Sequence, residues 1–166
     1  NEDRLIKAHE HNVHAYSKKR SFNGYHALVV DDDTLSREIL NEYLRNQGFT
    51  FDEASDGDEA VRTVAQSTPY TYDIIIMDMR MPHMDGDEAA RAIRDLDRSD
   101  SSEIPIIAVT ADAFEEGRRR AKRAGFTAHT TKPLNLDKLT QLLDHYLPET
   151  PLRQNKDLDH RSTLRS

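Results

Sequence analysis

Five short runs dominated by apolar residues, HALVV (26 to 30), FTFDEA (49 to 54), YDIIIM (72 to 77), IPIIAV (104 to 109) and FTAHT (126 to 130), alternate with longer amphipathic stretches. Runs of this length rich in Val and Ile read as strands, and the stretches between them carry the three-to-four periodicity of helices. The alternation is restrictive. Strands joined through helices must pair in parallel, and right-handed crossovers are almost universal, so helices cover both sheet faces. The third and fourth runs are almost uniformly apolar, as strands covered on both faces must be. The expected fold is a doubly wound α/β sheet of five βα units over residues 25 to 148.

Local signals agree with that frame. Leu35, Ile39, Leu40, Tyr43 and Leu44 fall on one helical face before Gly48, a plausible helix stop. Asp56 with Glu59, Asp85 with Glu88 and Asp112 with Glu115 each place an acidic cap three residues before a Glu, as capping boxes do. Leu136, Leu139, Leu142, Leu143 and Tyr146 form the apolar stripe of a last helix.

A chain of 166 residues has room for one ordinary domain plus extensions. Residues 1 to 24 read as a polar N-terminal extension or linker. His9, His11 and His14 lie in it without the sequence context of kinase or phosphotransfer histidines. Residues 149 to 166 read as a disordered polar tail with no output domain after it. The first residue is Asn1 rather than Met, which favours a piece cut from a longer protein. No apolar run approaches the roughly 20 residues of a membrane span. With no N-terminal apolar region and no cysteine, a cytoplasmic setting without membrane contact is expected. The net charge is −7, and the acidity sits between slightly basic ends, which argues against a nucleic-acid partner.

Ligands of open α/β sheets gather beyond the carboxyl ends of the strands. Asp31-Asp32-Asp33 follows the first run, Asp78 the third, Thr110 the fourth, and Lys132 with Pro133 the fifth. Each alone is ordinary: acidic residues cap helices and Lys-Pro punctuates loops. Together, converging carboxylates would repel and raise one another's pKa unless a cation neutralised them. Oxygen-only ligands point to Mg²⁺. A phosphoryl group in such a site would meet positive charge from the metal and Lys132 and hydrogen bonds from Thr110, leaving Asp78 as the nucleophile. Asp33 reads as a helix cap, and the methionines at 77, 79, 81 and 84 as core and gap-filling residues.

The blocks LVVDDD (28 to 33), DIIIMDMRMPHMDG (73 to 86), IPIIAVTADA (104 to 113) and AGFTAHTTKPL (124 to 134) resemble, in order and spacing, the response-regulator receiver domain of two-component phosphorelays, most closely the receivers of hybrid histidine kinases. The resemblance implies a flavodoxin-like (βα)5 fold with strand order 2-1-3-4-5, and Asp78 as phosphoacceptor. It implies Mg²⁺ held by Asp31, Asp32, Asp78 and the backbone carbonyl of Arg80, and Thr110 and Lys132 contacting the phosphoryl group, with a cis bond between Lys132 and Pro133. The switch partner of Thr110 would stand at position 129, where the family often has Tyr or Phe and this chain has His129. Arg80 and Asp112 occupy positions that tune phosphoryl lifetime, and could form a charged lid. A receiver catalyses only its own phosphorylation and dephosphorylation. Its partners would be a histidine kinase or a histidine phosphotransfer protein, engaging the first helix around Leu35 and Ile39.

The leading expectation is thus the receiver of a hybrid sensor histidine kinase, with a stand-alone single-domain regulator as the alternative. A haloacid-dehalogenase-like phosphatase is the rival from another class, using Asp31 and Asp33 as its D-x-D pair. It has Leu35 where Thr or Val belongs and no task for Asp78.

Overall fold

The computed structural model describes residues 20–111 and 115–154, with the side chains of residues 115 and 116 excluded. Strands β1 (His26–Val30), β2 (Thr50–Ala54), β3 (Ile74–Asp78), β4 (Ile106–Thr110) and β5 (Ala128–Thr131) form one parallel sheet in the order β2-β1-β3-β4-β5. Helices α1 (Thr34–Gln47), α2 (Gly57–Gln66), α3 (Gly86–Arg94), α4 (Glu115–Ala124) and α5 (Leu136–Tyr146) lie between and after them. Each of the five runs overlaps a strand. The last three strands begin two residues later than the runs do and end one residue later, so Asp78 and Thr110 are the final residues of their strands rather than the first residues beyond them.

Strand periodicity divides the interior into two cores. Leu28, Val30, Ile75, Met77, Ile106 and Ala108 face α2, α3 and α4, packing on Ala60, Val64, Ala90, Ile93 and Ala121. Ala27, Val29, Ile74, Ile76, Ile107 and Val109 face α1 and α5, packing on Leu40, Leu44, Leu139 and Leu143. Alternate residues of one strand therefore serve opposite layers, which is why these strands are apolar throughout. Met79 and Met81 are buried in the first core and Met84 packs against it, as gap-filling residues do.

Helix ends follow local chemistry with one departure. Gly48 ends α1 at φ 100°, in the left-handed region, its N–H donating to the carbonyls of Arg45 and Leu44. Asp56 accepts from the Glu59 N–H at 2.7 Å, while the Glu59 carboxylate reaches back to the Ser55 N–H and hydroxyl. Asp85, in contrast, makes no cap bond to α3; its carboxylate accepts from the Met81 N–H at 3.3 Å and ties the preceding loop instead. Asp112, with the third capping pair and the lid, lies outside the described residues. On α1 the expected five-residue stripe splits: Leu40, Tyr43 and Leu44 are buried, whereas Leu35 and Ile39 remain 63% and 50% exposed. Those two positions sit at one edge of the stripe, more than a quarter turn round the helix from Leu40 and Leu44.

The packed body extends past residues 25 to 148. Phe22 is 1% exposed and stacks on Phe49, with ring centroids 5.2 Å apart. Arg20 lies over the Phe22 and Tyr25 rings and donates to the Leu147 carbonyl at 2.9 Å. Beside Gly24, Pro151 is buried, and Arg153 and Gln154 share a cavity with His26, Thr50 and Asp73 at the amino ends of the strands. Aromatic burial on this scale stabilises by about 2 kcal/mol per side chain. Of the flanking segments, residues 20–24 and 149–154 thus pack against the sheet and helices. His9, His11, His14 and residues 155 to 166 lie outside the described residues.

Candidate functional site

Parallel register carries the strand ends to one edge. Val30 pairs with Met77, so Asp31 comes beside Asp78; Asp78 pairs with Val109, and Thr110 with Thr131, so Thr110 and Lys132 follow on the next two strands. Carboxylate oxygens of Asp31, Asp32 and Asp78 lie within 4.8 Å of one another, and the Lys132 Nζ stands 2.9 Å from Asp78 Oδ2. Asp31, Asp78 and Thr110 are buried, and Asp32 is exposed at the mouth.

Local bonds hold these groups in place. Asp31 Oδ1 accepts from the Asp33 N–H at 2.9 Å, and the Asp31 carbonyl accepts from Arg37 of α1 at 2.6 Å. Asp33 caps α1 by accepting from the Ser36 N–H and hydroxyl. Asp78 Oδ1 accepts from the Arg80 N–H at 3.2 Å. The loop after β3 folds back so tightly that the Gly86 N–H donates to the Met79 carbonyl at 2.9 Å. A Cβ at Gly86 would lie 2.5 Å from the Asp78 carbonyl oxygen, so only glycine fits. The Lys132–Pro133 bond is cis, and the Lys132 N–H donates to the Thr110 carbonyl at 2.8 Å.

The electrostatics reflect crowding. Burial raises the Asp31 carboxyl above its ordinary range; the Asp33 N–H opposes this, and the charges of Asp78 and Asp32 add to it. For Lys132 burial acts downward, but the hydrogen bond to Asp78 and the charges of Asp78, Asp31 and Asp32 outweigh it and raise the ammonium. One ammonium stands against three carboxylates. Such an all-oxygen set, short of positive charge and open on the Asp32 side, fits a hard divalent cation of the Mg²⁺ kind.

Comparison with known proteins agrees with this geometry. Residues 27–144 match the family described as response regulator receiver domain. The chain belongs to the receiver-domain family. It is 34% identical over 119 residues to hybrid signal transduction histidine kinase I of Dictyostelium discoideum, covering 70% of this chain and 7% of that protein. The chain spans less than a fifth of the length of such curated relatives. Among solved structures, the receiver domain of sensor histidine kinase PA1611 from Pseudomonas aeruginosa matches with TM-score 0.66 and 32% identity, over 74% of this chain and 97% of that one. That structure has a magnesium ion coordinated in its active-site cleft. The receiver domain of Saccharomyces cerevisiae Ssk1, in co-crystals with the histidine phosphotransfer protein Ypd1, matches with TM-score 0.69 and 28% identity, over 76% of this chain and 91% of that one.

In this receiver, Asp31, Asp32, Asp78 and Lys132 converge, and strand register places Thr110 beside them. Thr110 and His129 lie on one face of the sheet, since His129 pairs with Ala108, two residues before Thr110. His129 is half-buried, and burial with the neighbouring charges of Arg118 and Lys138 lowers its pKa. Asp33, which the phosphatase reading needs as a second catalytic carboxylate, is engaged as a helix cap and is absent from the cluster. Among the described residues no helix is long and apolar enough to cross a membrane.

Sequence reasoning missed Arg37, which fixes the Asp31 backbone, and the packing role of Gly86. The Asp85-Gly86 pair was a visible signal for the latter, because glycine opening a helix marks a close backbone approach.

Proposed function

We propose that this receiver accepts a phosphoryl group on Asp78 in the presence of Mg²⁺ and exchanges it with a phosphohistidine partner, either a histidine kinase or a histidine phosphotransfer protein. The observation that carries the reading is the 2.9 Å pairing of Lys132 with Asp78 inside the three-carboxylate cluster. An Asp78 oxygen would bond to phosphorus as the phosphorus–nitrogen bond of the phosphohistidine breaks, its electron pair returning to the imidazole, which takes up a solvent proton. Lys132 offsets charge on the phosphoryl oxygens, and the Thr110 hydroxyl donates to one of them. Bound by Asp31, Asp32, Asp78 and the Arg80 carbonyl, Mg²⁺ would add the second positive charge. Thr110 and His129, sharing a sheet face, are the switch pair that reports phosphorylation to partner surfaces. Exposed Leu35 and Ile39 on α1 are the apolar docking points for the phosphohistidine partner, as an otherwise charged helix offers them without burying them in the core.

The parent protein is a hybrid sensor histidine kinase in this reading, with the receiver on the cytoplasmic side and residues 20–154 as its folded unit. Incubation with acetyl phosphate and Mg²⁺, followed by mass measurement of the intact chain, tests the chemistry. One added phosphoryl group is expected, not formed when Mg²⁺ is chelated beforehand and absent in Asp78→Asn. Labelling that persists in Asp78→Asn refutes the assignment.

A further inference from the structure

We infer that Arg120 is a specificity-determining residue of the phosphoryl-accepting cleft, selecting phosphodonors by their negative charge; the inference rests on Asp78 being the acceptor. A cleft of about 420 Å³ borders the carboxylate cluster at Asp32 and is lined by Asp32, Arg80, Met81, Pro82, Asp85 and Arg120. Asp32 belongs to the cluster, and Arg80 donates its N–H to Asp78, so the cleft opens beside the acceptor.

Arg120 is held on the cleft wall from behind. Its Nε donates to Oδ2 of Asp87 in α3, a carboxylate whose side chain is 8% exposed. The other oxygen, Asp87 Oδ1, is buried without a hydrogen-bond partner. Moving Arg120 away would leave a buried carboxylate bonded through neither oxygen, which is strongly unfavourable. The guanidinium is therefore fixed while its side chain stays 47% exposed and lines the cleft. A fixed cation on the wall of a cleft that also holds Asp32 lowers the repulsion that an anionic donor meets on approach, and a preorganised one does so without reorganisation. The benefit grows with donor charge.

Two small donors separate this role from a structural staple between α3 and α4. Acetyl phosphate is a dianion at neutral pH; phosphoramidate carries one net negative charge. In both, an Asp78 oxygen bonds to phosphorus; the phosphorus–oxygen bond to acetate breaks in the first, and the phosphorus–nitrogen bond breaks with release of ammonia in the second. Second-order labelling rate constants for the full chain with Mg²⁺ are measured for wild type, Arg120→Gln and Arg120→Lys. Arg123→Gln, which removes an exposed charge from the same helix outside the cleft, serves as control. Arg120→Gln is expected to lose about tenfold with acetyl phosphate and less than about threefold with phosphoramidate, with Arg120→Lys recovering most of the loss and Arg123→Gln unchanged. Equal losses with both donors, or none, overturn the inference. If Arg120→Gln does not fold, the double variant Asp87→Asn/Arg120→Gln, which relieves the buried charge, is judged by the same ratio. A wild-type chain labelled by neither donor overturns the acceptor reading and this inference with it, whereas a labelled wild type with an unchanged ratio in the variants overturns this inference alone.

Discussion

The Lys132 ammonium lies 2.9 Å from the Asp78 carboxylate although 54 residues separate them in the chain. The contact is made by two strand ends that do not pair directly: β4 lies between β3 and β5, and the cis peptide before Pro133 follows Lys132 at the turn. It is the only ion pair in this structure to involve the three clustered carboxylates among the described residues. Lys132→Met is therefore expected to slow phosphodonor labelling of Asp78 by on the order of a hundredfold, the loss of one preorganised charge. Mg²⁺ affinity should rise, because a competing cation has gone. Labelling within twofold of wild type would remove Lys132 from the chemistry.

Asp31 is the carboxylate in the cluster that burial disfavours, its folded pKa standing above the unfolded one. Its contribution to stability is present below the unfolded pKa and lost as pH rises through the folded value, so at neutral pH the ionised group destabilises the metal-free fold. Asp31→Asn, which can still accept from the Asp33 N–H, should stabilise the metal-free chain at pH 7. The same change should abolish the upward shift in Tm that saturating Mg²⁺ gives the wild type. Thermal melts with Mg²⁺ and with a chelator measure both; a variant that still gains from Mg²⁺ contradicts the ligand assignment.

At the opposite end of the sheet, Asp73 is pushed up to about 6 by burial, against the pull of the His26 N–H that it accepts at 2.8 Å and of the His26 and Arg153 charges. Stability from this group is full below about pH 4 and is lost as pH rises through about 6. Asp73→Asn should thus be more stable than wild type at pH 7.5 by about 1 to 2 kcal/mol, with the gap closing toward pH 4. Denaturant titrations across that window check it. A gap independent of pH would place the cause in packing instead.

Gly86 meets Asp78 through backbone, with a hypothetical Cβ 2.5 Å from the Asp78 carbonyl oxygen and 2.9 Å from Met79 Cα. Neither neighbour can swing aside as a side chain would. Gly86→Ala should cost about 1 to 3 kcal/mol of stability and slow labelling by displacing the acceptor. Unchanged stability and labelling would show that the loop has slack.

Leu35 and Ile39 are exposed, so Leu35→Asp/Ile39→Asp should leave the melting temperature within about two degrees, as exposed sites do. Labelling by acetyl phosphate should stay unchanged, while transfer from a phosphorylated histidine phosphotransfer protein falls at least tenfold. Parallel loss of both reactions would mean that the helix shapes the site rather than the docking surface.

Much of this could be read from residues in order. The uniformly apolar YDIIIM and IPIIAV runs announced strands buried on two faces, and Gly48 and Asp56 announced helix ends, because strand burial and helix capping depend on residues within one or two turns of each other. The site residues were legible for a related reason: in a parallel sheet every strand ends at the same edge, so Asp31, Asp78, Thr110 and Lys132 needed only their positions after the runs to be grouped. Leu35 and Ile39, expected where a partner would engage the first helix, are exposed, although periodicity alone did not separate them from the buried members of the same stripe.

Sequence by itself determined the element order, the two-layer core and the set of polar groups at the strand ends, all properties set by local pattern. Only the tertiary structure decided that Phe22 and Pro151 close the body from outside the repeating units, that Asp85 ties its own loop rather than capping α3, and that Arg120 is anchored by a buried Asp87 at the cleft. Each of those depends on which surface another segment happens to cover, and a contact between residues distant in the chain leaves no periodic mark on either of them.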